Sequence, residues 1–306
     1  MLYLRKIPAI IFSHQKLLMT ADAYSEAIIP ILSNDMKGVE DHQNSYKEMV
    51  TSLLKKMDMG SINLTDDYSN SEIASGSLAY YRIEGMIVAD PSYWWYFSTK
   101  QFEFDLLAAE QNPNIYCHFI HVTSGGGEAW YMDQISATLS GLSKPIYVYV
   151  EKICGSGAYY IACHGDIIKA CTQNDTIGSI GCMISFFDFT GYYQNLGIKL
   201  VEEYATQSDL KNKKTNDLID GNPKQFIEEE LNPIAEQFIA EVRASRPQLA
   251  DIPDDNPIFR GEVFQANIAV DNGMIDGITT FSQAIEEAAE LGKTWHANQQ
   301  ITNFLN

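Results

Sequence analysis

Short apolar runs that lack any polar alternation recur along this chain, each separated from the next by residues at helical spacing. Ile146–Val150 reads IYVYV, and Ile115–Val122 is interrupted only by His118 and His121. A strand with one wet face alternates apolar and polar residues. Strands that do not alternate must be covered on both faces, which calls for a parallel sheet with helices on each side. The runs Tyr80–Val88, Phe102–Ala109, Ile115–Val122, Ile146–Val150, Ile167–Cys171 and Ile198–Tyr204 are broken by helical patterns. One such pattern puts Met132, Ile135, Leu139 and Leu142 on one face, and another covers Tyr159–Cys163. After Pro223 the residues Phe226, Ile227, Leu231, Ile234, Phe238, Ile239 and Val242 predict a long helix kinked at Pro233. The fold class is α/β.

Ahead of this core, Tyr46, Met49, Val50, Leu53, Leu54 and Met57 recur at helical spacing in a polar stretch, so residues 1 to about 58 read as a helical extension. Gly60–Ser77 is rich in Ser, Asn, Asp and Gly and reads as a linker. The expected division is an extension with its linker over 1–78, a core domain over 79–292 and a tail over 293–306.

Charge and cysteine usage exclude several classes. The 306 residues carry 21 basic and 40 acidic side chains, a net charge of −19, which disfavours a sequence-independent nucleic-acid binder. No run approaches the roughly 20 apolar residues of a membrane span, and the apolar stretch after Arg5 and Lys6 is cut at Pro8, so neither an integral anchor nor a secretory leader is expected. Cys117, Cys154, Cys163, Cys171 and Cys182 form no Cys-x-x-Cys pair and lie in apolar segments, the pattern of reduced buried thiols in a cytoplasmic protein. Cys163 and His164 are adjacent and point different ways, so no zinc site is expected. Asp251–Pro257 lacks the EF-hand spacing and reads as a solvated loop.

Two glycine-rich turns follow predicted buried strands: HVTSGGGEAW from His121 to Trp130, and EKICGSGAYYIA from Glu151 to Ala162. Such turns put backbone N–H groups at the carboxyl ends of parallel strands, where ligands bind and negative charge is stabilised. Neither matches a nucleotide-binding signature. Ser156, between Gly155 and Gly157, has two readings: a helix N-cap, or a nucleophile whose oxyanion is held by the Gly126 and Gly127 amides. A serine nucleophile needs a base. His121 could approach the site, but a strand-end histidine is more often a packed residue, and His164 lies two helical turns beyond Ser156. A buried lysine is the other option, since burial favours the neutral amine.

From about Tyr80 to Gly277 the chain resembles the Ser-Lys peptidases of the signal peptide peptidase A family, which includes phage prohead (capsid maturation) proteases. Ser124-Gly125-Gly126-Gly127 is similar to the family's Ser-Pro-Gly-Gly turn, with Gly125 in place of proline. Ser156-Gly157-Ala158-Tyr159-Tyr160-Ile161-Ala162 resembles its nucleophile segment, and Gly178-Ser179-Ile180-Gly181 a following Gly-Ser-Ile-Gly. Phe238, Val242 and Arg246 fit its Phe-x-x-x-Val-x-x-x-Arg helix, and Gly273-Met274-Ile275-Asp276 its closing Gly-Leu-Val-Asp. The resemblance implies a ClpP/crotonase-like spiral of β-β-α units, a homo-oligomer, Ser156 as nucleophile and Lys211 as base, with Lys213 and Lys214 close behind. The glycine that precedes the family's lysine is missing from EEYATQSDLKNKK. The implied reaction is peptide-bond hydrolysis through an acyl-enzyme on protein or peptide substrates, with no metal or organic cofactor. The implied settings are a phage head, with capsid or scaffold proteins as partners, or the cytosol. Two rivals remain: a proteolytically silent scaffold that keeps the fold, and a crotonase-type acyl-CoA enzyme, which would need neither Ser156 nor Lys211.

Overall fold

The computed structural model describes residues 17–19, 62–90, 96–186 and 188–305. The helical extension expected before residue 58 lies outside these, apart from 17–19, which form a strand rather than a helix. In chain order the elements are β1 (Leu17–Met19), β2 (Leu64–Thr65), β3 (Ser77–Glu84), β4 (Ile87–Val88), β5 (Phe97–Ser98), α1 (Thr99–Gln111), β6 (Ile115–Ser124), β7 (Gly126–Glu128) and α2 (Met132–Gly141). They continue with β8 (Ile146–Gly155), α3 (Gly157–Ala162), β9 (Ile167–Ala170), β10 (Thr176–Gly178), α4 (Thr190–Asn195), α5 (Lys213–Ile219), α6 (Asn232–Ser245), β11 (Val263–Gln265), α7 (Ala266–Asp271), β12 (Gly277–Ile278) and α8 (Phe281–Leu305).

The main sheet runs β11-β10-β8-β6-β3-β2, parallel throughout except where β11 meets β10. The ten-residue β8 divides one edge between two partners: Tyr147–Val150 pair with β9, and Ile153–Gly155 with β10. Lys152, with φ 70°, stands where the strand changes partner. A second, small sheet has the order β1-β7-β4-β5. Long strand, short strand and helix therefore recur as β3-β4-β5-α1, with a second short strand, and as β6-β7-α2, the β-β-α units of the expected ClpP/crotonase-like α/β fold.

Both faces of the sheet are covered, as the unalternating runs require. Ile120, Val122, Val148 and Val150 pack beneath α1, α2, α3 and α6, while Phe119, Tyr147 and Tyr149 meet Ala284, Ile285 and Ala288 of α8. Successive strand residues point to opposite faces, so one apolar run serves two cores. Phe102–Ala109 lies within α1, where Phe102, Leu106 and Ala109 are buried at helical spacing. The kink expected at Pro233 becomes a π-helical stretch, Ile227–Leu231, with Pro233 in the first turn of α6. The linker expected over Gly60–Ser77 contributes β2 to the main sheet, and α8 runs unbroken past residue 292.

One expected strand is absent. Ile198–Tyr204 has no regular structure, and Ile198, Leu200 and Val201 are exposed. β11 occupies the free edge of β10, so the parallel sheet offers no edge at that end for a further strand.

The carboxyl-terminal part of the core is pinned by one ion pair. Buried Arg246 donates to Asp276 at 2.7 and 3.2 Å, and the Asp276 carboxylate also accepts the Ile168 amide of β9 at 2.7 Å. Asp276→Ala leaves a buried guanidinium unpaired. It should cost about 2–3 kcal/mol, below the value for a fully buried pair because Asp276 keeps part of its surface in water. A urea melt should show the midpoint fall accordingly, and an unchanged midpoint would contradict this role.

Candidate active site

β6 and β8 are neighbours, with Ser124 opposite Cys154, so the two glycine-rich turns emerge side by side at the carboxyl end of the sheet. β8 ends at Gly155 and α3 begins at Gly157, which leaves Ser156 alone to make the turn. Its φ of 53° and ψ of −120° are values an L-residue rarely adopts. Such a conformation costs about 1–3 kcal/mol and persists only where its surroundings enforce it.

The enforcing contacts are visible. The Ser156 N–H donates to the Gly178 carbonyl at 2.7 Å, and its own carbonyl accepts the Tyr160 N–H at 2.9 Å. Gly178 sits opposite Gly155 in the β8/β10 register, and a Cβ on it would fall 2.6 Å from the Glu262 carbonyl oxygen. Downstream, the Tyr159 hydroxyl donates to the Met274 carbonyl at 2.8 Å, and the Tyr160 ring packs on Phe238 at 4.9 Å. The helix-cap reading of Ser156 fails, because its side chain makes no capping hydrogen bond. Ser156 is 1% exposed.

The first turn is equally constrained. The Ser124 hydroxyl donates to the Gly85 carbonyl at 2.6 Å and accepts the Gly126 N–H at 3.1 Å. Gly126 has φ 101°. A Cβ on Gly127 would lie 1.8 Å from the Ile87 carbonyl oxygen, which explains why the turn needs glycine there. Of the two expected oxyanion donors, the Gly126 amide is thus engaged by Ser124. The Gly157 and Ala158 amides, in the first turn of α3 where no intrahelical acceptor exists, are further donors that the sequence reading did not single out.

His121 is a packed residue. Its Nδ1 lies 2.9 Å from the Tyr80 hydroxyl, Glu151 is 3.3 Å from Nε2, and its ring meets Tyr149 and Phe281 on the α8 face of the sheet. His164 meets Ser140, Ser245 and Glu241, away from Ser156. Cys154, two residues before Ser156, is fully buried, and burial drives its thiol far above the usual range, so it offers no thiolate.

The lysines divide clearly. Lys144 is buried and pushed down to about 8 by desolvation, but its Nζ binds the Ala109 and Asn112 carbonyls and it precedes β8, about 30 Å of strand away from Ser156. Lys213 pairs with Asp217. Lys214 meets Glu230 and Glu229 at 2.6 and 2.9 Å, contacts that raise its pKa, the opposite of what a neutral base requires. Lys211 is exposed on the turn before α5, and none of Glu202, Glu203 or Asp209 forms an ion pair with it among the described residues. No hydrogen bond joins Lys211 to Ser156. No cluster of side chains among the described residues could hold a metal ion.

Comparison with known proteins identifies the scaffold. Residues 140–294, half of the chain, match Peptidase family S49. The chain belongs to that family. A protein of Enterococcus faecium named as a signal peptide peptidase SppA is 23% identical over 247 residues, 76% of this chain and 69% of its own length. Protease 4 of Haemophilus influenzae is 25% identical over 189 residues, 61% of this chain but 30% of its own length. Among solved structures, a mutant of the membrane-bound stomatin-specific protease 1510-N in complex with a substrate peptide aligns at a TM-score of 0.43 and 16% identity. That alignment covers 71% of this chain and 81% of that one. An enoyl-CoA hydratase/isomerase family member aligns at 0.43 and 13%, covering 77% and 81%.

Two outcomes follow from this geometry. Burial lowers the His121 pKa from 6.5 to about 4, with Arg82 acting in the same direction and Glu151 against it. The unfolded chain therefore binds a proton that the native one refuses, and stability is lost as pH falls from about 6.5 towards 4, by about 3 kcal/mol. Urea midpoints at pH 7 and pH 4 should differ less in His121→Asn than in the unsubstituted protein. Gly127→Ala must displace the Ile87 backbone, so a loss of about 1–3 kcal/mol or more is expected in the same assay.

Proposed function

We propose that this S49 family member is a serine endopeptidase in which Ser156 Oγ attacks the peptide carbonyl and Lys211, in its neutral form, takes the proton. The observation that carries this reading is the strained Ser156 turn: a hydroxyl freed from capping, on a junction between strand and helix that four separate segments brace. In this reading the Gly126 and Gly127 amides hold the oxyanion, and Ser124 must release the Gly126 N–H when substrate arrives. Water then hydrolyses the acyl-enzyme, with the lysine relaying the proton a second time. A cavity of about 250 Å³ beside the site, lined by Trp130, Met132, Tyr160 and Ile234, supports a peptide substrate with an apolar side chain.

Lys211 would reach Ser156 from a neighbouring copy. Supporting this, the segment that carries it exposes Tyr192, Leu196, Ile198, Leu200, Val201 and Leu210, an apolar surface left uncovered on the single chain. The setting we favour is phage head maturation, with capsid or scaffold proteins as substrates, as the resemblance to prohead proteases implies; the alternative is cytosolic clearance of peptides. No helix among the described residues is long and apolar enough to cross a membrane.

Incubation with an unfolded protein and a fluorophosphonate probe tests the chemistry. Ser156 should be labelled, and both Ser156→Ala and Lys211→Ala should lower cleavage by about 10³-fold or more. Mixing the two inactive variants should restore activity if serine and lysine come from different copies. Cleavage that survives Lys211→Ala moves the base to Lys213 or Lys214. If Ser156 is never labelled in any assembled form, the silent scaffold reading stands.

A further inference from the structure

The small sheet holds a strand from an unexpected source. β7, which carries Gly126 and Gly127, pairs in parallel with β4 on one side; on its other side it pairs antiparallel with β1, Leu17 opposite Glu128, Leu18 opposite Gly127 and Met19 opposite Gly126. Without β1 that side of β7 would be a bare sheet edge beside Ser156, open to strand addition. β1 also contacts α3, the helix that begins next to Ser156. Residues 20–125 separate β1 from β7 in sequence, so the pair is not a hairpin. Its sequence, Leu-Leu-Met, is uncharged and apolar.

We propose that Leu17–Met19 is an internal occupant of the edge at which an extended peptide substrate would pair, so that the chain closes its own site until the strand is displaced. The inference rests on the peptidase reading for its meaning, but the occupancy itself can be tested by binding alone. Three observations agree on it. The strand pairs with the two glycines that the proposed mechanism uses, it touches the nucleophile helix, and Ser156 is almost wholly covered in this arrangement. A three-residue ladder is short enough to be displaced. Because strand and edge belong to one chain, the pairing is intramolecular and needs little affinity to fill the edge.

Successive strand amides point to opposite sides, so either Leu18 alone or Leu17 with Met19 directs N–H groups at β7, and replacing Leu17 and Leu18 with proline removes a donor in either case. The test uses full-length protein in a Ser156→Ala background and a fluorescein-labelled peptide of residues 14–22, followed by anisotropy. If the strand fills the edge at least about nine-tenths of the time, Leu17→Pro with Leu18→Pro should bind the peptide at least about tenfold more tightly than the chain without those prolines. Equal affinity, or no binding to either, overturns the proposal. Should the double variant melt early, hydrogen exchange on the unsubstituted chain decides: excess unlabelled peptide should speed exchange at 17–19 while 126–128 stay protected, and unchanged exchange at 17–19 counts against it. With Ser156 intact, fluorophosphonate labelling should be at least about tenfold faster in the double-proline chain. No labelling of either chain removes the peptidase reading, while the peptide affinities still decide the occupancy.

Discussion

The turn at Ser156 depends on a hydrogen bond between neighbouring parallel strands. Its N–H reaches the Gly178 carbonyl, and this bond holds the residue in a backbone conformation that its own chemistry resists. That bond exists because β8 changes partner partway, leaving β9 for β10, and because Gly155 and Gly178 face each other at the end of the new pairing. A side chain on Gly178 would strike the Glu262 carbonyl, so the brace extends to the segment before β11. Strain at one residue is thus carried by a whole end of the sheet, as stored strain requires.

The sequence motifs shared with the family acquire separate physical duties from this arrangement. Gly178-Ser179 holds the Ser156 turn, Tyr159 ties α3 to Met274, and Phe238 packs on Tyr160. Arg246 reaches past them to Asp276, which also caps the Ile168 amide. The motifs are spread over more than a hundred residues of sequence, yet each braces α3 or the strands next to it. The Ser156 side chain itself makes no capping hydrogen bond.

The α/β class and the core strands were legible because burial on both faces writes itself directly into unalternating apolar runs such as IYVYV. The two adjacent glycine turns were legible for a related reason: a backbone approach as close as that of Gly127 to Ile87 tolerates no other residue. Pairing partners were not. Ile198–Tyr204 has strand composition, but composition cannot show that β11 already holds the edge of β10. Nor could spacing show that the Gly126 amide is taken by Ser124, or that Lys213 and Lys214 are occupied by Asp217 and by Glu229 and Glu230. These depend on contacts between distant segments, which a local pattern does not encode.

For the proposed Ser-Lys mechanism, the exposed Lys211 and the covered Ser156 are two sides of one problem. An amine serves as a base at neutral pH only where a low-dielectric surface covers it, and a serine attacks only where substrate can reach it. In the single chain the lysine lies in water on an apolar arm and the serine lies beneath protein. Covering the arm and uncovering the serine are both changes in what packs on this core, not changes in the core itself. In the readings proposed above, a second copy would supply the first, and departure of β1 from β7 the second. The bonds that hold Ser156 in its strained turn take part in neither event, so under the proposed mechanism the serine can remain set while both changes are still to come.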